Sequence, residues 1–213
     1  MTAADIMRAD LRLITGFVSP GSRVLDLGCG DGSLMAHLRD ERGCDVRGVE
    51  LVPQEIAAAI ARGLSVVQAD LDEGLAGYPD QSFDEVILSQ TMQVVRKPAL
   101  VLREMLRVGT RGIITFPNFG YWRVRGYLAL RGRMPVSESI PFSWYDTPNI
   151  HHTTIKDFRD FVSANGGMIE REVPLVAAGW HDRVREVHVL PNLLADTAVA
   201  VVRAREQRPR GVS

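Results

Sequence analysis

The sequence predicts an α/β fold in which a mostly parallel β-sheet is flanked by helices, and three observations support this prediction. Short apolar segments alternate with segments of helical spacing, which is the pattern of successive βαβ units. A glycine-rich turn separates the first apolar strand from the helix that follows it. The chain has 213 residues, of which 46% are hydrophobic and 24% are charged, so it is long enough to bury a core of ordinary size.

The first third of the chain alternates between helices and strands. Residues 5–17 carry apolar side chains at helical spacing, and Pro20 and Gly21 end this segment. Strands are then expected over 23–28, 45–51 and 64–71, with helices over 32–43 and 53–63 between them. Pro53 in the first turn and Gly63 after the last turn show the asymmetry that is typical of a helix.

The alternation continues to residue 117 and resumes near residue 154. Strands are expected over 82–90, 111–117, near 168–173 and over 197–204, with helices over 98–108 and 154–167. The intervening segment breaks the pattern, although residues 121–133 predict a basic helix. We therefore expect a single ligand-binding domain over 1–203, with an insertion at about 118–152. The polar segment 204–213 is expected to be a disordered tail.

The turn after the first strand has the composition of a ligand-binding loop. It has the sequence "VLDLGCGDGSL" over residues 24–34. Gly28, Gly30 and Gly32 permit positive φ and a close approach of the backbone to a ligand. A glycine motif alone is weak evidence, but this one follows a strand and opens a helix, where parallel sheets bind ligands.

Carboxylates at the ends of the next two strands point to a nucleoside. Glu50 ends the second strand, 24 residues after Asp26, and can accept hydrogen bonds from both hydroxyls of a ribose. Asp70 ends the third strand, where it can accept a hydrogen bond from an adenine amino group. Three separate positions along the chain therefore predict the same class of ligand.

The charges around the turn distinguish between nucleoside ligands. Asp26 and Asp31 flank the turn, and no Lys or Arg lies between residues 24 and 38. A pyrophosphate about 4 Å from such carboxylates is repelled by about 4 kcal/mol per pair at an effective dielectric constant of about 20. S-adenosylmethionine (SAM) has no phosphate and carries an ammonium and a sulfonium, so the charges favour SAM over NAD.

These features resemble the class I SAM-dependent methyltransferase superfamily over roughly residues 21–117 and the closing strands. The resemblance implies a Rossmann-like fold with seven strands in the order 3-2-1-4-5-7-6, in which strand 7 is antiparallel. It also implies that SAM, or its demethylated product S-adenosylhomocysteine (SAH), binds at the carboxyl ends of the strands. The expected binding residues are Asp26, Gly28, Cys29, Gly30, Glu50, Leu51, Asp70, Leu71 and Gln90.

No catalytic base is evident where related enzymes carry catalytic groups. The sulfonium is already activated, so methyl transfer needs alignment and, for a weakly acidic nucleophile, a base. The segment "LSQTMQ" at 88–93 lacks the N/D-P-P-Y/F motif and contains no acid or histidine, and "FPNF" at 116–119 follows the wrong strand. The acidic metal cluster of catechol-type methyltransferases is also missing. Any base would come from the insertion, with Tyr145, His151 and His152 as candidates.

The sequence predicts no metal site. His151 and His152 are adjacent and therefore point in different directions on a strand or a helix. Cys29 and Cys44 offer no zinc spacing with them. Cys29 is expected to pack beside the ligand and not to react. The carboxylates of the turn raise the pKa of its thiol and so disfavour the reactive thiolate.

Two interpretations remain open for "SWYDTPNIHHTT" at 143–154. In one, Thr153 or Thr154 is the N-cap of the next helix and the histidines merely precede it. In the other, Tyr145 and the aromatic residues beside it form a lid or a partner surface. The four arginines between 118 and 137, a segment without acidic residues, are likewise either a solvated helix face or a docking surface for an acidic partner or an anionic ligand.

Three long blocks are similar to the methionine-biosynthesis MetW family: "LSQTMQVVRKP" at 88–98, "FPNFGYWRVRGYLALRGRMP" at 116–135 and "WYDTPNIHHTTIKDF" at 144–158. With the glycine turn, the resemblance extends over most of residues 18–203. It implies a companion or regulator of homoserine O-acyltransferase. Our own hypothesis is that the 118–152 region makes the contact with that enzyme. A SAM pocket in such a protein suggests a sensor that changes these contacts.

An active SAM-dependent methyltransferase acting on a small molecule remains the alternative function, with the insertion as its substrate lid. A nucleic-acid methyltransferase is disfavoured because the net charge is −1 and the pI about 6.5. The chain shows neither a signal-peptide core nor an apolar run long enough to span a membrane. Its two cysteines are too few for a disulfide framework. We therefore expect a cytoplasmic protein without nucleic-acid or membrane partners.

Overall fold

A mixed β-sheet forms the centre of the molecule. The structure is a computed structural model, and it describes residues 13–136, 140, 143, 145–148, 151–177 and 184–205. The strands are β1 Arg23–Leu27, β2 Asp45–Glu50, β3 Ser65–Gln68, β4 Phe83–Ser89, β5 Gly109–Pro117, β6 Gly167–Ala177, β7 Val184–Glu186 and β8 Thr197–Ala204. The helices are α1 Ser33–Arg42, α2 Pro53–Ala61, α3 Pro98–Val108, α4 Trp122–Arg131, α5 Ile155–Ala164 and α6 Pro191–Leu194, with a 3-10 helix over Leu71–Glu73.

The strand order is β3-β2-β1-β4-β5-β8-β6-β7. The first five of these strands are parallel to one another, and β8 is antiparallel to its neighbours β5 and β6. This confirms the predicted order 3-2-1-4-5-7-6 with an antiparallel last strand in chain order. The sheet described has eight strands and not seven, because the three-residue strand β7 adds an edge beside β6. So short a strand has no periodicity by which a sequence could reveal it.

Alternation along the buried strands divides the core between the two faces of the sheet. Leu25 and Ile114 pack with α3 and α5, whereas their neighbours Val24 and Ile113 pack with α1. Successive side chains of a strand point to opposite faces, so both faces of the central strands are apolar and covered by helices. None of the helices described is both long enough and apolar enough to cross a bilayer.

Most predicted elements are confirmed within a few residues. The bounds of α3 and β8 are those predicted, whereas β3 ends at Gln68, three residues early. The first predicted helix is seen over residues 13–17, and its earlier part lies outside the described residues. The predicted tail also lies outside them from residue 206 onward.

A single buried asparagine organises the start of the insertion. Asn118 is 1% exposed and follows β5. Its Nδ2 donates to the carbonyls of Asn192 and Ala195 at 3.2 and 2.7 Å. Its Oδ1 accepts from the backbone N–H groups of Gly120 and Ile155 at 3.0 and 3.3 Å. One side chain thus joins the turn before α4, the first residue of α5 and the α6 segment.

The end of the insertion is fixed by a capping box at α5. The Thr154 hydroxyl accepts from the backbone N–H of Asp157, and the Asp157 carboxylate accepts from the backbone N–H of Thr154. This reciprocal arrangement satisfies two donors at the start of the helix. Of the two predicted N-caps, Thr154 is therefore the one used.

Candidate functional site

The glycine turn between β1 and α1 is shaped by three residues with positive φ. A Cβ on Gly28 would lie 2.7 Å from Thr91 Oγ1, and one on Gly32 would lie 2.4 Å from Leu64 Cδ1, so the packing of the protein itself requires glycine there. Gly30 also has positive φ, at 53°, but the nearest atom to its Cβ position is 3.9 Å away. The space beside Gly30 is therefore open.

Glu50 links the end of β2 to this turn. Its Oε2 accepts a hydrogen bond from the backbone N–H of Gly30 at 2.9 Å. Its Oε1 accepts from the backbone N–H groups of Leu51 and Val52 at 2.7 and 3.0 Å. Three backbone donors thus fix the carboxylate in one orientation beside the open space at Gly30. Leu51 is 53% exposed, which leaves an apolar side chain uncovered next to the carboxylate.

Asp26 is a buried carboxylate in the same region. Its side chain comes from β1, and the residue is 2% exposed. Burial, together with the negative charge of Glu50, raises its pKa to about 7. A raised carboxyl pKa means that neither hydrogen bonds nor positive charges offset the cost of burying the Asp26 anion. A cation placed near Asp26 and Glu50 would therefore be favoured.

The negative charge of Asp31 is compensated by a neighbouring arginine. Burial opposes its ionisation, but hydrogen bonds from Ser33 and the guanidinium of Arg62 hold its pKa below the usual value. Arg62 Nη2 lies 2.7 Å from Asp31 Oδ2. This arginine follows α2 and lies far outside residues 24–38, so the local charge pattern around the turn gives no sign of it. Repulsion of a phosphate therefore depends on Asp26 and Glu50.

Asp70 lies beyond β3 and is already engaged. It precedes the 3-10 helix, where its Oδ1 accepts from the backbone N–H of Asp72 at 2.9 Å. Its Oδ2 lies 3.2 Å from Arg96 Nη2. Each oxygen keeps a second lone pair, so the carboxylate can still accept a hydrogen bond from a ligand. Leu71, the next residue in the predicted set, is 9% exposed and belongs to the apolar core.

A hydrogen-bonded chain connects the end of β4 to the insertion. Gln90 follows β4 with an unusual φ of 52°, and its backbone N–H is held by Thr115. Gln93 Nε2 donates to both the carbonyl and the side-chain oxygen of Gln90, at 2.9 and 3.2 Å. The backbone N–H of His151 donates to the Gln93 carbonyl at 3.1 Å. His151 is therefore brought next to the segment that contains Gln90.

His151 and Gln93 each keep an unused polar atom. Among the described residues, His151 Nε2 and Gln93 Oε1 are buried and have no hydrogen-bond partner. His152 instead stacks on Phe119, with ring centroids 4.4 Å apart. Tyr145 is 75% exposed. Of the three predicted base candidates, His151 is thus the one that the described contacts tie to the β4 segment.

A cavity of about 330 Å³ lies beside the two histidines. Its lining includes Met92, Pro98, His151, His152, Thr153, Asp157, Phe158 and Phe161. None of the predicted nucleoside-binding residues belongs to this set. The cavity is therefore separate from the glycine turn and lies between the starts of α3 and α5.

Cys29 is packed inside the turn. Its Sγ would lie 2.5 Å from a Cβ on Gly48, which shows that the thiol fills the space over that glycine. Burial and the nearby charges of Asp26 and Glu50 raise the pKa of the thiol to about 12. A thiol of this kind is not a nucleophile at neutral pH. No group of three or more His, Cys, Asp or Glu side chains in the described part of the chain could hold a metal ion.

Solved structures with the same fold include SAM-dependent methyltransferases. One from Mesorhizobium loti superimposes with a TM-score of 0.66 at 20% identity, over 92% of this chain and 97% of that one. The magnesium protoporphyrin IX methyltransferase of Synechocystis, solved with bound SAH, gives a TM-score of 0.63 at 17% identity, over 94% and 86%. The expected class I methyltransferase fold is thereby confirmed.

Sequence comparison identifies the family. The bifunctional methionine biosynthesis protein MetXA/MetW of Rhodopirellula baltica is 38% identical over 202 residues, which are 91% of this chain. The chain spans only 32% of the length of that relative. The family model described as methionine biosynthesis protein MetW matches residues 8–202. A match over nearly the whole chain, on the fold and blocks described above, shows that this protein belongs to the MetW family.

Proposed function

We propose that this protein binds SAM or SAH at the carboxyl ends of β1, β2 and β3, and that it acts as a companion of homoserine O-acyltransferase in methionine biosynthesis. The observation that carries the ligand is the Glu50 carboxylate, which three backbone donors hold beside the open space at Gly30. This arrangement offers a fixed acceptor and room for a nucleoside next to it.

The chemistry of the surrounding residues fits SAM. Glu50 keeps one of its four acceptor sites, on Oε2, for a hydrogen bond from a ribose hydroxyl. Asp70 can accept a hydrogen bond from the adenine amino group. The exposed Leu51 side chain offers an apolar contact for the base. Asp26 favours the ammonium of the ligand, and a pyrophosphate would instead lie against uncompensated negative charge. SAM, when bound, supplies an activated methyl group.

A relative in which two proteins are fused supports the proposed partner. The relative from Rhodopirellula baltica is named for MetXA and MetW together, and this chain corresponds to a third of it. We take its MetXA part to be the acyltransferase to which the family is linked. Two functions joined in one polypeptide are held at high effective concentration, which suits proteins that act together.

The chain from Gln90 to His151 offers a physical route for regulation. SAM bound beside Gln90 would change the position of Gln93, whose side chain is hydrogen-bonded to Gln90. The Gln93 carbonyl in turn accepts from the backbone N–H of His151 at the end of the insertion. A coupling of about 1–3 kcal/mol would change the affinity for the acyltransferase by about five- to 150-fold. The coupling is reciprocal, so the acyltransferase must change the affinity for SAM by the same factor.

The test is the acyltransferase activity of the cognate enzyme, measured alone and with this chain, in the presence and absence of SAM. The proposal expects a change in activity on addition of the chain and a further change with SAM. If the complex forms but this chain binds SAM equally well alone and in the complex, the regulatory part of the proposal is wrong and the companion role stands. Failure of the two proteins to interact at all would remove the companion role.

His151 favours a second candidate function, a small-molecule methyltransferase. Its backbone is tied to Gln93, and its buried Nε2 has no partner among the described residues, so it could act as a base. Cell extract incubated with radiolabelled SAM would reveal a methylated product. Loss of that product in His151→Ala or Tyr145→Phe, with retention in His152→Ala, would support this function over the companion role.

Gly30→Ala is expected to weaken SAM binding by about tenfold or more. The added methyl group would occupy the open space in which the ligand approaches the protein backbone at Gly30. The nearest protein atom is 3.9 Å from that methyl position, so the substitution causes no clash within the protein. Isothermal titration with SAM measures the effect. Gly43→Ala is the matched control, since Gly43 also has positive φ, at 65°, and open surroundings. Both variants should lose about 1–2 kcal/mol of stability from backbone strain. Equal SAM affinities in the two variants would contradict the proposed site.

A further inference from the structure

Helix α4 is poorly anchored by the protein itself. It has ten residues, and Val124 is its one buried side chain. Trp122, Tyr127 and Leu130 are 49%, 43% and 86% exposed. Isolated helices of this length are marginal in water, and most helices in proteins are held by an apolar face packed on the core. In α4 that relationship is inverted, because its large apolar side chains face outward.

The outward face of α4 has the form of an apolar ridge with a shallow centre. Successive residues are turned by about 100°, so Trp122, Gly126 and Leu130 lie on the side opposite Val124. A Cβ on Gly126 would meet no atom within 4 Å, so the centre of this face is open. A partner side chain can therefore fit between Trp122 and Leu130.

The arginines around this ridge have no acidic partner among the residues that the structure describes. Arg123, Arg125, Arg131 and Arg133 form no ion pair within the described residues. Elsewhere in the described ranges, seven arginines pair with carboxylates: Arg23, Arg39, Arg62, Arg96, Arg107, Arg111 and Arg159. The positive charge of α4 is thus left available to an external anion.

A second exposed apolar segment adjoins the start of α4. Val189 and Leu190 are 69% and 63% exposed. Leu190 adopts φ 45° and ψ 53°, a conformation that is unusual for leucine and directs the chain into α6. The carbonyl of Asn192 accepts from Asn118 and lies 2.7 Å from the Cβ position of Gly120, two residues before α4. The two apolar segments are therefore neighbours.

We propose that the outer face of α4 and residues 189–194 form one surface that docks on homoserine O-acyltransferase. We call this the α4 surface. The patch that it meets would be apolar at its centre and carry carboxylates at its rim, since exposed Trp, Tyr and Arg side chains are those that contribute most to protein interfaces. This inference rests on the proposed companion function. It narrows the expected 118–152 contact region to α4 and adds residues 189–194, which lie outside that region.

An acidic partner suits the α4 surface better than a second copy of this chain. A symmetric pairing through α4 would place the four arginines of one copy against the same four of the other. Such like-charge contacts disfavour association. An acidic patch on a different protein converts the same arginines into attractive contacts.

The test compares Leu130→Glu with Ile60→Glu for binding to immobilised acyltransferase. Ile60 lies on α2 and is 56% exposed, so it is a control for adding a charge at an exposed apolar position. We expect Leu130→Glu to weaken binding by about 100-fold and Ile60→Glu to have no effect. Unfolding temperatures of both variants should match that of the wild type.

The outcomes separate this inference from the companion function. If the wild type binds and Leu130→Glu binds equally well, the α4 surface is wrong while the companion function stands. If the wild type does not bind, both are wrong. If the wild type alone is a dimer that Leu130→Glu dissociates, and acyltransferase binding is unchanged, the surface is covered by a second copy and the inference is overturned.

Discussion

Asn118→Ala is expected to lower the free energy of unfolding by about 4 kcal/mol. The buried side chain makes four hydrogen bonds, two as donor and two as acceptor. Removing it leaves backbone groups of the α6 segment, of Gly120 and of Ile155 without partners. Each buried group left unsatisfied costs about 1–3 kcal/mol, and partial access of water makes the total smaller than the sum.

The loss should extend to the α4 surface. Asn118 fixes the turn that leads into α4 and, at the same time, the segment that contains Leu190. Without it, the two parts of that surface are no longer held together. Binding to the acyltransferase should therefore fall in Asn118→Ala even at temperatures at which the variant remains folded.

Chemical denaturation followed by circular dichroism measures the change, with Asn165→Ala as the control. Asn165 also donates through its side chain, to the Phe161 carbonyl at 2.9 Å, and accepts from Arg103 at 3.4 Å, but it is only half-buried at the C-terminal end of α5. We expect a loss of less than about 1 kcal/mol there, because water replaces the bond. A loss of similar size in both variants would show that Asn118 has no special structural role.

The fold could be predicted from the sequence wherever local signals were strong. Helix α3 and strand β8 have long, clearly patterned segments, and their bounds were predicted correctly. Strand β7 is three residues long and α6 is four, and neither is long enough for its side-chain pattern to repeat. Strand β3 was predicted too long, because Asp70 follows the strand and caps a 3-10 helix.

The site was predictable in its composition but not in its long-range pairs. The glycine turn and Glu50 are brought together, as the order of the parallel strands requires. Arg62 neutralises Asp31 from 31 residues away, and no local pattern announces such a contact. The "FPNF" segment follows the wrong strand for a catalytic motif, and its Asn118 instead joins the start of α4, the first residue of α5 and the α6 segment. Only a tertiary contact map can reveal that role.

SAM affinity is expected to rise by about tenfold per pH unit as the pH increases from about 5 towards about 7. The free protein holds Asp26 with a pKa of about 7, because burial and Glu50 disfavour its anion. The ammonium of SAM would favour the anion, so the pKa falls on binding. Below about pH 7, binding must therefore release a proton, and a lower proton concentration strengthens it. Above about pH 7.7 the ligand amine itself loses its proton, which sets the upper limit of the window.

Asp26→Asn should remove this pH dependence and weaken binding at pH 7, because the neutral amide gains no charge. Asp31→Asn is the matched control: Ser33 and Arg62 hold the pKa of Asp31 below its usual value, so it is already ionised throughout the window and the slope should persist. Isothermal titration in buffers of different ionisation enthalpy would count the proton released. The same raised pKa predicts that the folded wild type loses stability as the pH rises from about 4 to about 7, since the unfolded chain gives up this proton first. If SAM affinity were flat in the wild type while that stability trend was present, Asp26 would titrate as described but lie too far from the ammonium, and the ligand would have to bind in another orientation.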